Sequence, residues 1–233
     1  MPVELWPKVS YLGSLSPSTR EHLLQLGHPR TYEPGENLVL QGDPGGVVFL
    51  LMSGRVNVIA NVENGAESLL AIRHPGDVLG EMAVFGGMPR TATVRARIPV
   101  TTIVVSGEAF KRFVGTHPDA NVALTATSAE RLRQANIYRA DAAGYEVEQR
   151  LARTLLYQAQ RFATKADGYW AVDLFQVELA MLIGAKEGTV QKAFRDLKDL
   201  VASRRGRVLI YDVAKLAHLA EIQPPAKLLD KED

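Results

Sequence analysis

Between residues 31 and 105 short apolar runs alternate with turns carrying glycine and proline. The runs 37–40, 47–52, 55–61, 68–73, 92–96 and 101–105 are rich in β-branched residues and predict strands. Pro34-Gly35, the five residues 42–46, Ser53-Gly54, Glu63-Asn64-Gly65 and His74-Pro75-Gly76-Asp77 separate them. Many short strands with such turns predict a barrel or sandwich.

From about 119 to 164 the pattern changes. Ala, Leu, Arg, Glu and Gln dominate, and Gly144 interrupts a composition otherwise suited to helix. Thr125, Ala129, Leu132, Asn136, Arg139 and Ala143 recur at alternating spacings of four and three, a weakly apolar heptad seam. Such a seam fits a long helix that pairs with a second copy; a helix lying on its own domain gives a similar pattern. Gly144 marks a bend or boundary.

The third zone predicts short helices and a closing strand pair. A helix over 175–183 stops at Gly184, a second runs over 187–200, a strand follows at 208–211, and Asp212 caps a last helix through 220. The charged tail after Pro224-Pro225 is expected to be loose.

The stretch 176–197 has the form of a helix–turn–helix. Ala180 is small where two helices cross, and Gly184 stands where the turn needs a left-handed residue. Val190, Phe194 and Leu197 form an apolar stripe. Lys186, Thr189, Gln191, Lys192 and Arg195 make the opposite face, whose donors suit bases and phosphates in a major groove. Arg204, Arg205 and Arg207 flank a turn that fits a wing on the DNA backbone. The chain's net charge is only +1, yet residues 184–210 carry seven cations against three anions. That concentration points to double-stranded DNA.

A second constellation lies at 76–96. Gly80 permits close backbone approach, and a short helix over 81–85 offers N–H groups to an anion. Arg90 can grip a phosphate with a charge-assisted fork. The Glu81 carboxylate can accept from a ribose 2′-hydroxyl, and Thr91 can add a hydroxyl. The competing reading is a structural Glu81–Arg90 salt bridge in a barrel without a ligand.

Gly80-Glu81, the short helix with Met82 and Ala83, and Arg90-Thr91-Ala92 before a strand resemble the phosphate-binding cassette of cyclic-nucleotide-binding domains. With the long helix and the winged helix–turn–helix, the chain resembles the CRP/FNR family of bacterial transcription regulators over residues 11–219.

The resemblance implies an α+β architecture: a cyclic-nucleotide-binding β-roll or jelly roll over 1–118, a dimerisation helix and hinge over 119–145, and a winged helix–turn–helix over 146–233. It implies a homodimer that binds DNA, acts with RNA polymerase and responds allosterically to cAMP or cGMP. Ligand would change the helix ends near residues 144–146 and so reorient the DNA-binding domains.

Departures limit the carry-over. In the family's cyclic-AMP receptors a Thr-Ser pair on the long helix contacts adenine; here those positions hold Ala135 and Asn136, so Asn136 alone keeps a base-contacting side chain. Thr91 is compatible with either nucleotide. The family's Arg-Glu-(x3)-Arg reading triad is replaced by Glu187, Gly188 and Lys192, so its half-site does not transfer.

The absence of cysteine removes disulfides, thiolate zinc, iron–sulfur sensing and the Cys/His haem sensors. His22, His28, His74, His117 and His218 form no HxH or HExxH spacing, and no nucleophile elbow, Walker loop or dinucleotide fingerprint occurs. Neither enzyme nor metal protein is expected. The stretch 1–10 carries no signal-peptide pattern, and the longest strongly apolar run, 47–52, is far short of the about 20 residues a membrane helix needs. A cytoplasmic protein is expected. A cyclic-nucleotide module that docks on a protein partner is the alternative from another class.

Overall fold

The computed structural model describes residues 6–63, 65–166 and 168–229. Residues 1–5, Asn64, Asp167 and the residues from Asp230 lie outside the described residues; the stretch after Pro225, expected to be loose, begins as a short helix that buries Leu228. Two helices come first, α1 (Tyr11–Ser14) and α2 (Pro17–Gln25). Six strands follow: β1 (His28–Tyr32), β2 (Asn37–Val39), β3 (Val47–Ser53), β4 (Val56–Asn61), β5 (Glu67–Arg73) and β6 (Val78–Leu79). Helix α3 (Glu81–Gly86) leads to β7 (Thr93–Ala96), β8 (Val100–Ser106), α4 (Gly107–Thr116) and the long α5 (Pro118–Gly144). The remainder is α6 (Val147–Phe162), β9 (Thr164–Ala166), β10 (Tyr169–Val172), α7 (Gln176–Leu182), α8 (Glu187–Asp196), β11 (Val201–Arg204), β12 (Arg207–Ile210), α9 (Val213–Leu219) and α10 (Ala226–Leu229).

Contacts divide the chain into two units, Met1–Gln134 and Ala135–Asp233. The sequence reading sets boundaries near the two ends of α5; the contacts divide within that helix.

In the first unit two antiparallel sheets, ordered β1-β8-β3-β6 and β2-β7-β4-β5, face each other. Strand β3 is buried on both faces, which is why its run is apolar without alternation. Phe49 and Leu51 join Tyr32, Val56, Val94 and Val104 in one core. Val48 and Leu50 join Tyr11, Leu12, Leu23, Phe110 and Phe113 in another, beneath α1, α2 and α4. The β3–β6 pairing, Phe49 to Leu79 and Leu50 to Val78, brings the start of α3 beside the first residues of β3.

In the second unit α6 presents Leu151, Ala152, Leu155, Leu156 and Ala159, all fully buried, at helical spacing. They pack towards α8, α9 and β10. The third sheet runs β11-β12-β10-β9. Asp212 caps α9 by accepting from the Lys215 N–H at 2.9 Å, and that bond holds its carboxyl below the usual range.

The six strands read from the sequence are all present. The helix read over 187–200 ends at Asp196 instead, because Val201 is needed in β11, where it is fully buried opposite Ile210.

Candidate functional site

The turn into α3 is made by Gly80, left-handed at φ 82, which sits at the N-cap without a side-chain cap. The first N–H groups of any helix lack intrahelical acceptors, and here no capping side chain covers them. Beyond α3 the chain returns through Gly87, also left-handed at φ 64.

Arg90 is fixed from two sides. Its own backbone is zipped to the preceding loop: Arg90 N donates to Asp43 O at 2.8 Å, and Gly42 N donates to Arg90 O at 2.9 Å. Its side chain is 7 % exposed. Nη1 donates to Gly80 O at 2.8 Å and Nη2 to Val47 O at 2.7 Å. The guanidinium lies where a Cβ on Gly80 would sit. A guanidinium has five N–H donors in one plane, so two orient the group and three remain. Burial lowers the Arg90 pKa, while the charges of Glu81 and Asp43 oppose the shift. At neutral pH it stays a cation.

Glu81 is buried, 6 % exposed. Its ion pair is with Arg131, not Arg90: Arg131 Nη1 donates to Glu81 Oε1 at 2.7 Å. The other fork of Arg131 donates to Val78 O at 2.8 Å, and Asp77 stands 3.9 Å away. Nothing in the sequence pattern marks Arg131 for this role. Only the fold joins partners 50 positions apart.

The other cassette residues divide. Ala83 and Ala92 are buried in the packing, whereas Met82 is 62 % exposed and Thr91 is exposed beside Arg90. Asn136 is exposed on α5, within the second unit. Gly80, Glu81 and Arg90 are thus brought together with Arg131.

In the second unit Gly184 is left-handed at φ 63, as the tight turn between α7 and α8 requires. Ala180, Val190, Ala193 and Phe194 are buried. Lys186, Thr189, Gln191, Lys192 and Arg195 are all exposed. Gln191 Nε2 donates to Glu187 Oε1 at 3.3 Å, so these two side chains are joined along the exposed face. The β11–β12 hairpin turns at Arg205 and Gly206, φ 49 and 79, and the Phe175 ring lies where a Cβ on Gly206 would sit. Arg204 and Arg205 are exposed at this tip. Arg207 is tied to Asp173, Nε to Oδ1 at 2.6 Å.

The heptad seam leaves Thr125, Ala129, Leu132, Asn136, Arg139 and Ala143 all exposed, and Val122, one step earlier in the same spacing, is 69 % exposed.

Residues 29–117 match the family model of the cyclic nucleotide-binding domain, and residues 149–219 that of the Crp-like helix-turn-helix domain. A CRP-like cAMP-activated global transcriptional regulator of Mycobacterium tuberculosis is 31% identical over 221 residues, covering 93% of this chain and 99% of the relative. The cAMP-activated global transcriptional regulator CRP of Escherichia coli is 27% identical over 198 residues, covering 83% and 94%. Among solved structures, the c-di-GMP responsive global regulator CLP of Xanthomonas campestris superposes with a TM-score of 0.71 at 25% identity, covering 84% of this chain and 100% of that one.

Proposed function

The chain belongs to the CRP-like family of transcription regulators, and from that premise we propose that it is a homodimer whose affinity for specific DNA is set by a cyclic nucleotide. The observation that carries the ligand reading is the buried Arg90 guanidinium, aimed by Gly80 O and Val47 O with donors to spare. A cyclic phosphate brings one negative charge and equatorial oxygens that match this fork. Glu81, polarised by Arg131, accepts from the ribose 2′-hydroxyl, and Thr91, next to Arg90 in the chain, adds a hydroxyl to the phosphate or to a guanine 2-amino group. Met82 and Ala83 contribute backbone rather than side chain, since one side chain faces solvent and the other is packed away.

The DNA reading rests on the exposed face of α8 and the wing tip. Lys192, Gln191, Thr189 and Lys186 enter a major groove, and Arg195, Arg204 and Arg205 meet phosphates. Arg207 acts mainly by holding the wing through Asp173. The exposed seam of α5 is the surface for a second copy, which places two recognition helices on successive grooves about 34 Å apart. The protein works with RNA polymerase in the bacterial cytoplasm, where DNA lies.

A second reading has its own support. Glu81 is already paired with Arg131 without a ligand, which supports a regulator that acts ligand-free. Calorimetric titration with cAMP, cGMP and c-di-GMP separates the two. We expect saturable binding of one cyclic mononucleotide and, in Arg90→Lys, an affinity at least about tenfold weaker, because lysine keeps the charge and loses the fork. No heat with any of the three supports the ligand-free reading. Binding of c-di-GMP alone replaces the mononucleotide.

A further inference from the structure

Gly144 ends α5, and α6 begins three residues later. A Cβ at Gly144 would meet nothing within 4 Å, so local packing does not stiffen this bend. The restraint comes from charge. Asp141, on the last turn of α5, is 5 % exposed between exposed neighbours. Its Oδ2 lies 2.9 Å from Nε of Arg153 on α6, with side chains 7 % and 18 % exposed. The same guanidinium donates through Nη1 to Ala220 O at 2.8 Å, at the C-cap of α9. It also stands 4.4 Å from the centroid of the Tyr145 ring, in the bend itself. One side chain therefore touches the end of α5, the bend and the end of α9.

Further bonds support the same elbow. Tyr145 N donates to Asp141 O at 3.0 Å. Gln149 receives the Glu146 N–H at 3.2 Å and donates to Glu221 at 3.0 Å. The Tyr138 and Tyr157 rings meet edge-on at 6.4 Å. Separating α5 from α6 would leave a carboxylate and a guanidinium without each other in a poorly hydrated place, which is strongly unfavourable. The bend is thus held in one geometry until the pair breaks.

We propose that Arg153 is a positioning residue: its buried pair with Asp141 turns the glycine bend into a rigid elbow, so that any displacement of the end of α5 is passed to the helix–turn–helix. The consequence for regulation rests on the ligand reading above; the rigidity of the elbow does not. Without the pair, Gly144 becomes a free joint, and ligand still binds but no longer sets DNA affinity.

The test uses the full chain in four forms: wild type, Asp141→Asn, Arg153→Lys and the reversed pair Asp141→Arg with Arg153→Asp. Hydrogen exchange over residues 142–150 reads the elbow. DNA affinity with and without cAMP reads the coupling. We expect exchange at least about tenfold faster in Asp141→Asn, with partial recovery in the reversed pair. Cyclic AMP affinity stays within about twofold, while a coupling of about 100-fold falls below about tenfold. Arg153→Lys, which keeps charge but not the three-way geometry, falls between. Unchanged exchange in Asp141→Asn overturns the elbow, whatever the ligand does. Faster exchange with coupling intact overturns the positioning role. A wild type without any ligand effect sinks the ligand reading and leaves the elbow to be judged by exchange.

Discussion

Arg131 on α5 reaches the cassette of the same unit and donates to the buried carboxylate of Glu81 at 2.7 Å. A carboxylate this buried is tolerated only with such a partner. Replacing Arg131 by Gln removes the charge and should cost about 3 kcal/mol of stability, read as a lower urea midpoint. Pairing Arg131→Gln with Glu81→Gln should recover much of that loss, because the stranded charge goes with it. Additive losses in the double variant would mean that the pair contributes nothing to folding.

Gly80 and Gly184 have similar left-handed angles, φ 82 and 63, and different surroundings. At Gly184 a Cβ meets nothing within 4 Å, so Gly184→Ala should cost only the backbone strain, about 1 kcal/mol, and leave DNA binding in place. At Gly80 a Cβ displaces the Arg90 guanidinium as well. Gly80→Ala should lose more stability and, in addition, weaken cyclic-nucleotide binding by at least about tenfold. Equal melting temperatures and intact ligand binding in both variants would contradict the placement of Arg90.

His74 carries a pH dependence. Burial, chiefly, pushes its pKa down to about 4, the charges of Arg55, Arg97 and Arg73 add to this, and Asp77 opposes it. The unfolded chain takes up the proton near pH 6.5, the fold not until about 4. The neutral ring therefore contributes its full stability above about pH 6.5, and this is lost as the pH falls towards 4. The loss totals about 3 kcal/mol. Denaturation of wild type and His74→Gln at several pH values checks this. The wild-type curve should fall more steeply between 6.5 and 4, and parallel curves would refute it.

DNA affinity should fall with salt, each phosphate contact adding about 0.9 to the slope of log K against log salt. Arg205, exposed at the wing tip, should reduce the slope by about 1 when replaced by Ala. Arg207, held by Asp173, should change it less. The reverse order would place the phosphate contact at the base of the wing.

Strands β2 to β5, β7 and β8 were legible because β-branched runs and glycine turns are local signals, and Gly184 because a tight turn needs a left-handed residue. Strand β1 was not, since four of its five residues are exposed and only Tyr32 is buried, leaving no apolar pattern. Strand β9 is exposed throughout for the same reason, as an edge. In the cassette, residue types at 80, 81 and 90 marked these positions as candidates, and the fold brings them together. Their partners were not marked: Arg131 of Glu81 and Val47 O of Arg90 are set by strand pairing and helix packing over 43 to 50 residues. Nor does spacing alone reveal that Arg207 meets Asp173, 34 residues earlier.

On the proposed reading a cyclic nucleotide in the cassette sets DNA affinity. The most direct test of this is the affinity of the purified wild-type protein for fragments selected from genomic DNA, measured by fluorescence anisotropy at fixed salt, with and without saturating cyclic mononucleotide. A rise of about 100-fold with ligand is predicted, equivalent to about 2.7 kcal/mol of preference for the DNA-competent state. Equal affinity with and without ligand, or no salt-sensitive DNA binding in either condition, would contradict it.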